Sequence, residues 1–129
     1  MKVKFLHLES IIKAFKELNE CRMSFATKIK LRDAQETLMK EAEWFEEQRL
    51  EIINRYARKG TDGKPVVENG NYILEDKDAF VQEFDELLNT GFEIKPLDAS
   101  LIENLELSGT AWDGLMHIIY TGGDEHMKI

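Results

Sequence analysis

The sequence predicts a mainly α fold with a minor α+β component: one long helix packed by two or three shorter helices in an elongated bundle, with a small β-hairpin around Asn69-Gly70. Three observations predict it. Only two prolines and eight glycines interrupt the 129 residues, which favours long helices. No glycine or proline lies between Ser24 and Lys59. Apolar residues recur at helical three-to-four spacing in several stretches, and strand and turn chemistry is concentrated in 65–74. A chain of this length suffices for one domain with a real core. Residues 1–122 therefore read as a single helical domain with a hairpin inserted at 65–74, and 123–129 as a flexible tail.

The first element rests on Leu8, Ile11, Ile12, Phe15 and Leu18, which share one face of a helix ending near Asn19-Glu20. Ahead of it, Val3, Phe5 and Leu6 fit a short extended lead-in as well as a first helical turn. The long helix starts at Ser24, a good N-cap, and Gly60 stands where a C-cap belongs. Arg55, Arg58 and Lys59 crowd its last turn, where positive charge suits the helix dipole. At about 100° per residue, Leu31, Ala34, Leu38, Ala42, Phe45, Ile52 and Tyr56 fall on one narrow stripe, a heptad-like seam. Glu36, Glu43, Glu47 and Glu51 lie on the opposite side and form a candidate acidic face. Met39, Leu50 and Ile53 make an off-axis apolar strip that the seam leaves uncovered, to be buried by the C-terminal helix or by another chain. With Trp44, also off the seam, they are the candidate protein-interface residues. For Trp44 a position packed under the hairpin or the last helix is the favoured reading over an interface anchor, and Trp112 reads as core.

Asn69-Gly70 is the preferred pair for a type I′ turn, and it separates Val66-Val67 from Tyr72-Ile73-Leu74. Asp76 then caps a helix carrying Phe80, Phe84, Leu87 and Leu88 that stops at Asn89-Thr90-Gly91. Phe92-Glu93-Ile94-Lys95 alternates up to Pro96 and is expected beside the hairpin as a third strand. Asp98 suits the cap of one or two helical turns, and Ser108 caps a last helix with Trp112, Leu115, Met116 and Ile119, closed by Gly122-Gly123. A helix over 24–58 is roughly 50 Å long. A globule of this mass is roughly 35–40 Å across. The first helix is expected to cover the front half of this rod and the third helix its rear half.

The residues that carry chemistry are sparse. His7, His117 and His126 show no i,i+4 pairing and no HExxH pattern, and one cysteine, Cys21, builds neither a disulfide nor a structural zinc site. Asp62-Gly63 and Glu75-Asp76-Lys77-Asp78 miss the calcium-loop pattern. The GTDGK stretch is too short for a phosphate-binding loop. The many carboxylates sit on a water-facing helix side, whereas acid–base work needs two in contrasting environments. These observations predict no catalytic residue, no cofactor and no metal. A small-molecule pocket between hairpin and helices, lined by Trp44, Tyr56 or Tyr72, is a weaker alternative.

Net charge is −8, but it is unevenly spread. Residues 1–32 carry +5 and the remainder −13. So acidic a chain argues against nucleic acid, whose phosphates need a basic surface. The basic head and acidic body suit a head-to-tail contact between subunits. No apolar run approaches a membrane span or a signal-peptide core.

The run WFEEQRLEIINRYARKGTDGKPVVENGNYILEDKDAFVQEFDELLNTGFEI resembles a family of uncharacterised small helical proteins from tailed phages and prophages of Gram-positive bacteria. The shared features are a short leading helix, a long helix ending in an RYA-like stretch, a DGxPV…NGNY hairpin and an F-x-x-EF-x-ELL helix. An E-I segment and a short apolar helix follow. The similarity spans approximately residues 8–119 and is strongest from Phe45 to Ile94, while the CRMSFATK junction and the GGDEHMKI tail depart from it. Its motifs carry turn and packing chemistry, and no catalytic residue transfers. The resemblance implies a phage protein encoded among late or structural genes, in the host cytoplasm or on the virion. Its expected role is protein binding or self-association in virion assembly, or as a structural accessory. The acidic face supports an alternative, an anti-host factor that inhibits a defence nuclease or another host protein.

Overall fold

The structure, a computed structural model, describes residues 1–120. A short strand β1 (Lys2–Lys4) leads through a 3-10 turn (Phe5–His7) into helix α1 (Leu8–Glu20). After a three-residue link comes the long helix α2 (Phe25–Tyr56). The hairpin strands β2 (Val67–Glu68) and β3 (Asn71–Tyr72) precede helix α3 (Lys77–Asn89). Strand β4 (Gly91–Glu93), strand β5 (Leu97–Asp98), a 3-10 turn at Ala99–Leu101, helix α4 (Gly109–Met116) and strand β6 (Ile119–Tyr120) complete it. The fold is the mainly α arrangement expected, a long helix with shorter helices packed on it and small β elements.

Side-chain capping sets three helix starts. Ser24 accepts from the Thr27 amide at 3.2 Å, Asp76 from Ala79 at 3.1 Å and Ser108 from Ala111 at 3.1 Å, each satisfying one otherwise orphaned N–H. The 32 residues of α2 span about 48 Å. Its end differs from expectation. The helix stops at Tyr56, and Ala57 is extended rather than Gly60 serving as cap. The cause is the hairpin base: Ala57 bridges to Leu74 and Lys59 to Pro65, and the Arg58 amide donates to the Ile73 carbonyl at 2.8 Å. The backbone thus leaves the helix to join the strands. At the tip, Asn69 and Gly70 have φ of 53° and 79°, the two positive values a type I′ turn requires.

Three further expectations are corrected. The Phe92 segment does not extend the hairpin but pairs antiparallel with β1, placing Val3 opposite Phe92 and Lys2 opposite Glu93. Val3 and Phe92 are both buried there, so the strand sits where its apolar side faces the core. The last helix ends at Met116, and Ile119 belongs to β6, which runs parallel to β5 with Leu97 opposite Ile119. Finally, α1 packs most extensively on α4, not on the front of α2. Small residues permit that approach: Ala14 of α1 meets Gly114 of α4, where an added Cβ would lie 2.4 Å from the Ser10 carbonyl oxygen and 3.1 Å from the Ala14 Cβ. The Glu17 carboxylate of α1 accepts from the Ser108 amide at 2.7 Å, placing negative charge at the positive end of α4. The closing Gly122-Gly123 pair and the tail lie outside the described residues.

The main core gathers Val3, Phe5, α1, the front of α2, the 92–102 segment and α4 around fully buried Ile11, Leu18, Leu38, Ile102, Leu115 and Ile118. Ile52, Ile53, Ala57 and Leu87 are buried apart from it, where α3 packs on the rear of α2 and Arg55 pairs with Glu83. The seam holds: Leu31, Ala34, Leu38 and Ile52 are buried and Ala42 and Phe45 pack against the core. A column of rings joins the two regions. Phe92 lies 5.1 Å from Phe5, Phe5 5.4 Å from Phe45, Phe45 6.3 Å from Phe84, and Phe84 5.8 Å from Phe80, all within the range of favourable aromatic contacts.

Candidate functional site

The surface of α2 opposite the seam is the feature most in need of a role. Every 100° of rotation that brings Leu31, Leu38 and Phe45 inward carries Phe25, Ile29, Glu36, Met39, Glu43, Glu47 and Leu50 outward, and all seven are exposed. Phe25 is 80% exposed, Met39 67% and Leu50 40%. Large apolar side chains repeated along one helix face mark contact surfaces more often than single ones do.

The expected interface set divides. Met39 and Leu50 stand in solvent. Ile53 does not: it is 4% exposed, because it lies in the stretch of α2 that carries α3 and the hairpin base, and it belongs to the core. Trp44 is 43% exposed, with one face stacked on Phe5 at 5.4 Å rather than under the hairpin or α4. It lines a hollow of about 350 Å³ with Phe5, Lys40, Glu41, Thr90, Gly91 and Phe92. The expected acidic face is exposed throughout at Glu36, Glu43, Glu47 and Glu51; among the described residues only Glu36 of these has a cation within 4 Å, Arg32 at 3.8 Å. Phe25 and Ile29 escaped the reading of the seam, although their position half a turn from Leu31 and Leu38 is visible on the helical wheel.

Electrostatics along this face are polar end to end. On the outward face the front carries Lys28 and Arg32 and the rear carries Glu43, Glu46 and Glu47, with Glu36 between them. Arg49 is already engaged, donating to Glu46 at 2.6 and 2.9 Å. That hydrogen bond holds the Glu46 carboxyl below its usual range and raises the Arg49 guanidinium. Lys28 lies 5.4 Å over the Phe25 ring, a cation–π contact.

Two other features lie apart from this face. A groove of about 620 Å³ runs between α1, α2 and α3, floored by Leu8, Ile12, Phe45, Phe84 and Leu88 and edged by charged side chains. His7 and His117 stack with centroids 3.9 Å apart and planes 15° from parallel, a juxtaposition across 110 residues that no spacing rule reveals. Burial holds the His117 imidazole below its usual range, the neighbouring His7 adds to this, and Asp113 opposes it. Two imidazoles fall short of the three or four ligands of a zinc site, and among the described residues no group of three or more His, Cys, Asp or Glu is placed to hold a metal. His126 lies outside them. The Cys21 thiol packs at the end of α1, donating to the Glu17 carbonyl at 3.6 Å. No helix among the described residues is long and apolar enough to cross a membrane.

No family model, curated protein or solved structure matches this chain.

Proposed function

We propose that this chain is a non-enzymatic protein-binding and self-associating module, acting in virion assembly or as a small structural accessory of a tailed phage. The observation that carries the reading is the uncovered back of α2, from Phe25 to Leu50, where four large apolar side chains alternate with charge over about 38 Å of rod. A helix so long is stabilised through its inner seam, and its outer apolar side chains contribute nothing to folding, which is the expected condition of side chains kept for a partner. The phage setting rests on the resemblance of the RYA, NGNY and EF-x-ELL stretches. The acidic row supports a second reading, an anti-host factor whose Glu36, Glu43, Glu47 and Glu51 occupy a cationic site on a host protein.

Affinity capture from infected cells separates the two. With wild-type chain as bait, phage structural proteins are expected, and Met39→Asp with Leu50→Asp abolishes their capture. Equal capture by both baits refutes the role of this face. Recovery of a nuclease or polymerase, lost on Glu43→Lys with Glu47→Lys, decides for the anti-host reading.

A further inference from the structure

Resting on the self-association reading, we infer that the occupant of the α2 face is a second copy of the same helix, packed antiparallel so that Arg32 of each protomer meets Glu43 of the other. The outward residues fall at spacings of four and three: Phe25, Ile29, Arg32, Glu36, Met39, Glu43, Glu46 and Leu50. That is the alternation of the two core positions of a coiled-coil seam. In an antiparallel pair one kind of position faces the other kind. The alignment that sets Phe25 against Leu50 also sets Arg32 against Glu43 and Lys28 against Glu47; Ile29 then faces Glu46, and Met39 faces Glu36 in the two layers that flank the two-fold axis.

Charge selects this arrangement over its rivals. On this face Lys28 and Arg32 lie at the front, and Glu43, Glu46 and Glu47 at the rear. A parallel pair lays Arg32 on Arg32 and each of Glu36, Glu43 and Glu46 on itself, and like charges so placed reject the wrong orientation. The antiparallel pair opposes them twice, once at each end, through the two-fold. The cations are available: among the described residues Lys28 is held over the Phe25 ring and Arg32 by the exposed 3.8 Å approach of Glu36. Such a seam is short of apolar layers and rich in solvent-facing ion pairs, so the dimer is concentration-dependent and salt-sensitive rather than obligate.

The test uses the full chain. Light scattering over roughly 1–500 µM should show a monomer–dimer equilibrium whose Kd rises at least about tenfold between about 50 and 500 mM NaCl. Arg32→Glu and Glu43→Arg should each abolish the dimer, and the two together in one chain should restore it. In a parallel pair neither single change creates a new kind of clash, so that pattern belongs to the antiparallel alignment alone. Circular dichroism of each variant checks that the fold is intact. With Cys21→Ser, a mixture of Phe25→Cys and Leu50→Cys chains should oxidise to a one-to-one crosslinked dimer, while neither chain crosslinks with itself.

A monomer throughout the range overturns the inference, and capture of phage proteins then judges the protein-binding reading separately. A dimer in which the single charge changes are silent, or in which Phe25→Cys links to itself, overturns the antiparallel alignment and leaves self-association standing.

Discussion

Gly114 offers the sharpest check on the packing described above. Replacing it with alanine adds a Cβ 2.4 Å from the Ser10 carbonyl oxygen and 3.0 Å from its carbon. Both are backbone atoms of α1, which have no rotamer to give way. Ordinary contact needs about 1 Å more, so α1 and α4 must separate along the most extensive helix contact in the fold. Overpacking of this kind costs about 1–3 kcal/mol, and the higher helix propensity of alanine offsets up to about 1 kcal/mol of it. We expect a net loss of about 1 kcal/mol and a Tm lower by roughly 4 °C for a domain of this size. Gly109, in the first turn of the same helix, is the control: an added Cβ there meets nothing within 4 Å. Gly109→Ala should leave stability unchanged or raise it by up to about 1 kcal/mol. Thermal and urea unfolding followed by helical ellipticity measure both. Equal stability of the Gly114→Ala and wild-type proteins, or an equal fall in the two variants, refutes the close α1–α4 approach.

Neighbouring residues on opposite sides of α2 should behave oppositely: Leu38→Ala, at a fully buried site, should lose about 2–5 kcal/mol, and Met39→Ala less than about 0.5 kcal/mol in urea titrations of the monomer. A large loss at Met39 would mean that the outer face is not free. Ser108→Ala removes the cap on the Ala111 amide and should cost about 1 kcal/mol by the same measurement. For His117 the sign follows from its lowered pKa: as pH falls, the unfolded chain takes up this proton first. Stability from this group is therefore complete above about pH 6.5, the unfolded value, and is lost as pH drops through the folded one. Urea midpoints at about pH 7.5, 6.5 and 5.5 should fall for the wild type and much less for His117→Gln; parallel curves would refute the role of the stacked pair.

Much of the architecture was legible because it is local. The unbroken run after Ser24, the oxygen-bearing caps at Asp76 and Ser108, and the paired positive φ at Asn69-Gly70 are each decided within a few residues of chain. What escaped is non-local. Val3 pairing with Phe92, His7 stacking on His117, and Glu17 accepting from Ser108 join residues about ninety or more apart, and no periodicity encodes such a meeting. The helix end was misplaced for the same reason: Gly60 has the local chemistry of a cap, but the bridge from Ala57 to Leu74 stops the helix earlier. The candidate surface was half legible. The helical wheel separates outside from inside, which exposes Met39 and Leu50, but it does not know that α3 and the hairpin close over the rear of the rod, which is why Ile53 was assigned outward. Phe25 and Ile29 lie in the first turns of α2, behind the inward stripe, where hydrophobic periodicity does not mark them.

The ring column has a consequence for how the molecule comes apart. Each of its steps is a short-range contact, and Phe5 touches three other rings at 5.1–5.4 Å, so it acts as the coupling between two hydrophobic clusters strung along one rod. With that link in place, the end bearing α3 and the end bearing α4 should melt as one cooperative unit. Trim Phe5 to alanine and the distal cluster should open by itself, with amides of α3 exchanging hydrogen well before those of α1.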